Sequence, residues 1–183
     1  LWDGTADSPV AIPRLRGIAS SYPPRLSLML SCYLIQRLMH LGRTKDAVAE
    51  AEQIGLRVED GRVHMPEWDE LSIPRYRDLV AATSIDLLIS NGSFRSAEVM
   101  ITEEFRRAQA EGRVARLVEL GLTKSAMALR AGNPRSAAKQ LGIAVSRAAP
   151  RGIVRPFRDQ AETVAALVND TRLSSWAFAL TEE

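Results

Sequence analysis

The feature that most constrains the fold is a glycine followed five residues later by an alanine, which occurs three times. The pairs are Gly42/Ala47, Gly92/Ala97 and Gly132/Ala137. Each glycine follows an apolar-periodic run typical of a helix, and each alanine lies one turn into the next such run. A small side chain at that point lets two helix backbones approach closely. The recurrence of one helix–corner–helix unit predicts stacked helical hairpins.

Other positions at fixed distances from these glycines are also alike. They are apolar four residues before each glycine, twelve before it and nine after it, as expected where the two helices of a hairpin touch. The residues are Leu38, Leu88 and Ala128; Leu30, Val80 and Leu120; and Ala51, Ile101 and Leu141. The first two glycines are further apart than the last two, and the extra length is predicted to form a polar loop at 57–72, with Trp68 folded back onto a hairpin.

These patterns predict an all-α fold without a sheet, a right-handed superhelix of stacked antiparallel hairpins similar to a tetratricopeptide solenoid. Hydrophobic residues make up 46% of the chain and aromatic residues only 5%, which favours a helical solenoid over a β fold. Residues 1–24 are predicted to be a lead-in segment interrupted by prolines, and 25–183 the repeat domain. The hairpins are predicted at 25–55, 73–111 and 113–149, with a partial fourth at 156–181. The fourth begins with a helix at 156–169 and ends in a short helix at 171–181 that holds Trp176 and Phe178.

Residues 138–152 allow a second interpretation. They resemble a helix-turn-helix that turns at Gly142 and places 144–152 in a DNA major groove. Pro150 would end that recognition helix after about two turns, so we favour one continuous helix at 134–149. Gly142 then lies inside a helix at a cost of ~1 kcal/mol relative to alanine, which predicts a close approach of another helix at that residue.

The last unit resembles a known family. The segments RAGNPRSAAKQL and GIVRPFRDQAETVAALV are similar to the helical-repeat region of the large ATP-binding LuxR/MalT-type transcription regulators, and QRLMHLGRTKDAVAEAEQIGL resembles the repeats that precede it there. The most specific element is carried by Gly152, Val154, Arg155, Pro156 and Phe157. The resemblance covers residues 26–170.

The resemblance implies a sensor domain, which in that family lies between an N-terminal nucleotide-binding ATPase module and a C-terminal helix-turn-helix. Neither flank is present in the sequence, and the chain begins at Leu1 without a methionine. We therefore expect an excised domain that contacts DNA only through a helix-turn-helix outside this chain.

Motifs and composition argue against catalysis and cofactors. The chain has no G-x-x-x-x-G-K-[ST] phosphate loop, and it has two histidines and one cysteine, which disfavours a zinc site. The acidic run around His64 and Glu67 is interpreted as a solvated loop. A net charge of +2 is too balanced to indicate a nucleic-acid surface. We predict a cytoplasmic protein that is not an enzyme, has no metal or cofactor and has no membrane span.

The candidate ligand surface is a stripe on the first helix of each hairpin, at 13, 10, 6 and 2 residues before the corner glycine. It consists of Met29, Cys32, Gln36 and His40; Leu79, Ala82, Asp86 and Ser90; and Glu119, Leu122, Ala126 and Arg130. The polar members are the predicted binding residues: Gln36, His40, Asp86, Ser90, Glu119 and Arg130. The alternative is that these are ordinary solvated surface residues. Ser90 and Arg130 are expected to lie near each other, with Arg130 suited to a carboxylate or phosphate.

Two functions remain open from the sequence. The first is an effector-sensing domain that binds a small inducer or a regulatory protein on its concave face and relays the signal. The second is a protein-interaction scaffold whose groove takes a partner helix or peptide. Self-association is compatible with either.

Overall fold

A computed structural model of the chain describes residues 14, 17, 18, 24–67 and 69–170. For a few of these it describes the backbone alone: Pro24, Arg25, His40, Asp69, Glu70 and Glu162. The predicted lead-in at 1–24 therefore lies almost wholly outside the described residues. Trp68 and the predicted last helix at 171–181 lie outside them too.

The described chain is mostly helical. Its helices are α1 Pro24–His40, α2 Thr44–Gln53, α3 Pro74–Ser90, α4 Phe94–Ala110, α5 Val114–Arg130, α6 Pro134–Ala148, α7 Arg155–Asp159 and α8 Ala161–Asn169. Short 3₁₀ turns cover Asp69–Ser72 and Ala149–Arg151. The predicted helix bounds agree with these to within a few residues, except that the helix expected at 156–169 is interrupted at Gln160.

One corner geometry ends most of these helices. At each, a glycine adopts a left-handed φ between 59° and 78°, and the next residue's amide donates to the carbonyl four residues before the glycine. Only glycine adopts this conformation without strain. The glycines are Gly42, Gly55, Gly92, Gly112, Gly132 and Gly152. The last four are spaced evenly along the sequence, so that a 17-residue helix and a three-residue corner repeat together. The glycine–alanine pairs had identified three of these corners, and the predicted hairpin bounds at 55, 111 and 113 had placed helix ends at Gly55 and Gly112 as well.

The expectation of no sheet was wrong. Within the predicted polar loop, Arg57–Glu59 (β1) and Arg62–His64 (β2) pair antiparallel, with Val58 opposite Val63. Asp60 and Gly61 both have positive φ, which is the conformation that a tight two-residue hairpin requires. Val58 and Val63 pack on the nearby helical core while their neighbours face solvent. The alternation of valine with charged residues explains the strand, which turn signals alone did not predict.

The chain divides into two compact units, residues 1–97 and 98–183. In the first, α1 packs against α2 and α3, and its core centres on Leu34, Ile35 and Leu38 of α1 with Ala47 and Ala51 of α2. A smaller cluster joins Leu28 and Cys32 of α1 to Val80 of α3. The three alanines that follow the corner glycines by five residues are all fully buried: Ala47, Ala97 and Ala137.

In the second unit, α5 is the central helix and contacts α6, α7 and α8. Val118 and Leu122 of α5 pack on Ala144 and Ala148 of α6. Further along the same helix, Ala128 packs with Ala137 and Leu167.

The close helix approach predicted at Gly142 is not there. Gly142 is exposed on α6, and within the described part of the chain no atom lies within 4 Å of where its Cβ would be. The close approach occurs instead at Gly121 of α5, where an added Cβ would lie 3.1 Å from the Cβ of Ala144. Helix α6 also runs without a turn through Gly142, which rules out the helix-turn-helix interpretation of 138–152.

Candidate functional site

The accessible stripe on α3 coincides with the predicted one. Between residues 80 and 90 only Ala82, Asp86 and Ser90 are not buried, and Leu79, one turn earlier, is half-buried. Ser90 uses its hydroxyl locally, donating to the carbonyl of Leu87 at 2.8 Å. The helix thus presents one narrow half-buried edge, with Asp86 as its charged side chain.

On α1 the predicted stripe is displaced by one residue. Cys32 is fully buried, whereas the neighbouring Tyr33 is 48% exposed and continues the stripe from Met29 toward Gln36. Gln36 holds α1 to α3, because its Nε2 donates to Thr83 Oγ1 at 3.2 Å. Thr83 in turn donates to the carbonyl of Leu79. The side chain of His40 lies outside the described residues.

The same displacement occurs on α5. Leu122 is fully buried, and Thr123 replaces it in an accessible stripe that runs through Glu119, Thr123, Ala126 and Arg130. Arg130 is exposed in the last turn of the helix. We call these four residues the α5 stripe. A position nine residues before the glycine, rather than ten, is therefore the accessible one on both α1 and α5.

Glu119 is the best-connected residue of the α5 stripe. Its carboxylate lies 3.1 Å from Nη1 of Arg116. Its carbonyl accepts from Thr123 Oγ1 at 3.2 Å and from Gln160 Nε2 at 3.4 Å. Gln160 lies at the junction of α7 and α8, so the stripe is fixed on one side by the segment that carries the family resemblance.

That segment is held in place by its apolar residues. Pro156 is buried, and Phe157 packs against the α5–α6 core. Arg155 is 90% exposed and pairs with Asp159 one turn later at 3.2 Å. The exposed position of Arg155 and its local ion pair indicate a helix-surface role.

A buried ionic network lies beside the stripe and was missed by the sequence analysis. Glu104 of α4 is 5% exposed, and its Oε1 accepts from Arg107 Nη1 at 2.5 Å. Arg116 of α5, 9% exposed, lies between Glu104 at 3.8 Å and Glu119 at 3.1 Å. The corner at Gly112 places Glu104 and Arg116 opposite each other. The hairpin bounds at 111 and 113 already predicted this turn, so the opposite charges eight residues before it and four residues after it were the available signal for the pair.

The Cys32 thiol is poorly suited to act as a nucleophile. Burial raises the pKa of its thiol from 9.0 to about 11, partly offset by a hydrogen bond with Thr83. A thiol with such a pKa stays protonated and unreactive near neutral pH. Among the described residues, no three histidine, cysteine or acidic side chains are grouped to hold a metal. Within that same part of the chain, no helix is long and apolar enough to cross a membrane.

Comparison with known proteins returned no matching family model, no matching curated protein and no matching solved structure.

Proposed function

We propose that this chain is the effector-sensing helical-repeat region of a LuxR/MalT-type transcription regulator. The hairpins stack as a right-handed, tetratricopeptide-like superhelix, and the accessible stripes of the first helices take a small polar effector. The chain itself carries no catalytic step. Binding is relayed to nucleotide-binding and DNA-binding modules of the same regulator.

The α5 stripe is the observation that carries the proposal. Polar atoms at Glu119, Thr123 and Arg130 alternate with the apolar surface of Ala126 along one edge of a helix that is otherwise largely buried. A small metabolite is recognised by such a mixture, because apolar surface gives contact area and a few fixed polar groups give orientation. Arg130 contributes a planar fork of donors suited to a carboxylate or phosphate.

The half-buried state of the stripe also supports binding of a small molecule. A hydrogen bond formed on a partly desolvated edge is electrostatically stronger than one formed on an open surface, because the local dielectric is lower. The Glu119 carboxylate is already oriented by Arg116, and the Glu119 backbone carbonyl accepts from Gln160 Nε2. Little ordering would be required when a ligand arrives, and this preorganisation favours affinity.

The alternative function is a protein-interaction scaffold that takes a helix or extended peptide. The exposed ring of Tyr33 favours it, because tyrosine is enriched at protein interfaces. This alternative predicts binding to peptides and no response to small metabolites.

The experiment is a thermal-shift screen of the purified chain against three ligand classes: neutral oligosaccharides, phosphorylated sugars and dicarboxylates. A ligand at about 100 times its dissociation constant stabilises by about 2.7 kcal/mol. We expect one class to raise the melting temperature in a concentration-dependent way. Glu119→Gln should reduce that shift.

Glu103→Gln is the matched control, because Glu103 is an exposed carboxylate on α4, outside the stripes. If the ligand raises the melting temperature of Glu119→Gln as much as that of the unaltered chain, the ligand binds elsewhere. The same conclusion follows if Glu103→Gln loses the rise equally. If no metabolite shifts the transition but helical peptides bind, the chain is a scaffold.

A further inference from the structure

The two ends of the α5 stripe carry opposite charges. Glu119 lies in the second turn of α5 and Arg130 in its last turn, with Thr123 and Ala126 between them. At 3.6 residues per turn, the four residues lie within about 60° of one another around the helix axis. The stripe is therefore a straight, accessible edge that is negative at one end and positive at the other.

The carboxylate at the Glu119 end is held in place but keeps free acceptor capacity. Its Oε2 lies 3.1 Å from Nη1 of Arg116, and the side chain is 36% exposed. An ionised carboxylate offers about four lone-pair sites on its two oxygens. Gln160 brings a side-chain amide to the same place, because its Nε2 donates to the Glu119 carbonyl. This end of the stripe is rich in acceptors and suits a protonated amine, which carries several N–H donors.

The guanidinium at the other end suits the opposite group. Lys124, earlier on the same helix, pairs with Glu98 at 3.1 Å. Arg130 is exposed and, among the residues that the structure describes, makes no ion pair. The chain from residue 120 to 158 contains no acidic residue, so the corner and the helix that follow Arg130 offer it no carboxylate. Its planar fork of donors can bind a carboxylate through two parallel hydrogen bonds.

The separation of the two ends restricts the length of the ligand. Glu119 and Arg130 lie about 16 Å apart along the helix axis, at 1.5 Å per residue. A single amino acid is too short to place its amine and its carboxylate at both ends, and a dicarboxylate has the wrong charge for Glu119. An extended peptide advances about 3.3 Å per residue. Five residues therefore reach from one end to the other.

The middle of the stripe is compatible with a peptide backbone. Thr123 donates its hydroxyl hydrogen to the Glu119 carbonyl at 3.2 Å, and its oxygen can still accept from a peptide N–H. Ala126 has only a methyl group, so an extended chain can lie close to the helix at that point. Neither residue provides a pocket for a large side chain, so recognition depends on the termini of the peptide.

From the opposite charges and their spacing, we propose that the effector of the α5 stripe is a peptide of about five residues with both termini free. Its amino terminus binds Glu119 and its carboxyl terminus binds Arg130. This inference rests on the proposed function, because it names the ligand class of the same stripe. It differs from the scaffold alternative, since a scaffold binds an internal segment of its partner and has no need of free termini.

The test compares four forms of one alanine–serine pentapeptide: free, acetylated at the amino terminus, amidated at the carboxyl terminus, and blocked at both. Calorimetric titration at about pH 6.5 keeps the α-amino group, whose pKa is about 7.7–8.0, protonated. We expect saturable binding of the free peptide. Each block should weaken binding on the order of tenfold, because each removes a charge-assisted contact. A free peptide of about three residues should also bind more weakly, because it cannot reach both ends.

Two variants assign each terminus to its residue. Glu119→Gln should weaken binding of the free peptide and remove the effect of acetylation, while amidation still weakens binding. Arg130→Gln should give the converse result. This non-additivity identifies a direct contact, whereas a structural role would weaken all four peptides alike. Glu103→Gln and Lys139→Ala alter exposed charges outside the stripe and should bind the four peptides as the unaltered chain does.

The peptide assignment is overturned if the free pentapeptide does not bind, or if the doubly blocked form binds equally well. The second result would favour the scaffold. The assignment also fails if the two stripe variants keep the full effects of both blocks. If a metabolite of the thermal-shift screen binds at Glu119 and no peptide does, effector sensing stands and only the peptide assignment fails. No response to either set of ligands would overturn both. Circular dichroism establishes that each variant is folded.

Discussion

Gly121 of α5 lies against Ala144 of α6, so closely that a Cβ at Gly121 would come within 3.1 Å of the Ala144 Cβ. This contact sets the separation of the two helices at the centre of the second unit. Gly142, two residues before Ala144, faces the opposite way, and no atom of the described residues lies within 4 Å of where its Cβ would be. The two glycines therefore have opposite roles in neighbouring helices.

Alanine substitution should have opposite effects at these two positions. Gly142→Ala should stabilise the chain by about 0.5–1 kcal/mol through helix propensity alone. Gly121→Ala should destabilise it by about 1 kcal/mol, because the crowding against Ala144 exceeds the same gain in propensity. Urea unfolding of the two variants provides the comparison. Equal stabilisation by both would mean that α5 and α6 are not in close contact.

The helix corners were only partly predictable from the sequence. The glycine–alanine pairs located three of them, because a glycine and a buried alanine at fixed spacing have a steric cause that is visible in the sequence. Gly112 was predicted only as a break between two hairpins, because Leu117, and not an alanine, follows it by five residues. The β-hairpin was missed because its strands are three residues long, too short for alternation to be distinguished from a polar loop.

Two buried serines offer a matched pair for testing the hydrogen bonds of the core. Ser125 is fully buried, and its hydroxyl donates to the carbonyl of Ala137 at 2.6 Å, which joins α5 to α6. Ser84 of α3 is equally buried, but its hydroxyl has no hydrogen-bond partner among the residues that the structure describes. Ser125→Ala should cost about 1 kcal/mol, whereas Ser84→Ala should be neutral or stabilising. Thermal melts that rank the two variants the other way round would contradict these assignments.

The Glu104–Arg116 pair should behave as a buried ion pair. Replacing Arg116 by Met leaves the Glu104 carboxylate buried with one fewer cation, and we expect a loss of about 3 kcal/mol. Adding Glu104→Gln to that variant should recover much of the loss, because the uncompensated charge disappears. A double-mutant cycle from chemical denaturation measures the coupling. Additive effects would show that the two side chains do not interact.

The stability of the first unit should fall at alkaline pH through Cys32. The folded-state pKa of about 11 lies above the ordinary value of 9.0, so the native state holds the thiol proton more tightly than the unfolded chain. The resulting stabilisation is complete below about pH 9 and is lost as the pH rises toward 11. At 1.36 kcal/mol per pKa unit this is about 2–3 kcal/mol.

The Cys32→Ala variant isolates that contribution. Lysines and tyrosines also titrate at alkaline pH, so the informative quantity is the difference in unfolding free energy between the unaltered chain and the variant. It should shrink between pH 9 and 11. A difference that is constant over this range would mean that the thiol is not buried.

The accessible stripe was only partly predictable, and the reason that two of its positions were predicted wrongly is geometric. The prediction placed an accessible residue ten positions before the corner glycine on all three helices. On α1 and α5 the accessible position is nine residues away, at Tyr33 and Thr123, while on α3 Thr83 at that offset is covered by Gln36. Which side of a helix a neighbour covers depends on long-range contacts that a periodic pattern does not contain. The expected proximity of Ser90 and Arg130 stays a prediction.

Arg130 is the residue of the α5 stripe best suited to bind an anionic group. Replacing it by Ala should weaken effector binding by about 1–3 kcal/mol, the usual cost of losing a charged hydrogen-bond partner. The helix should remain intact, because Arg130 is exposed in its last turn. Lys139→Ala is the control, since it removes an exposed cation from α6 of the same hairpin. Circular dichroism checks that both variants keep their helicity.

The most direct test of effector sensing is calorimetric titration of the effector identified by the screen into the unaltered chain, Arg130→Ala and Lys139→Ala. The account predicts saturable binding to the unaltered chain and to Lys139→Ala with the same dissociation constant. Binding to Arg130→Ala should be weaker by about 5- to 150-fold, the equivalent of about 1–3 kcal/mol. Identical titrations for all three proteins would contradict the assignment of the α5 stripe as the effector site.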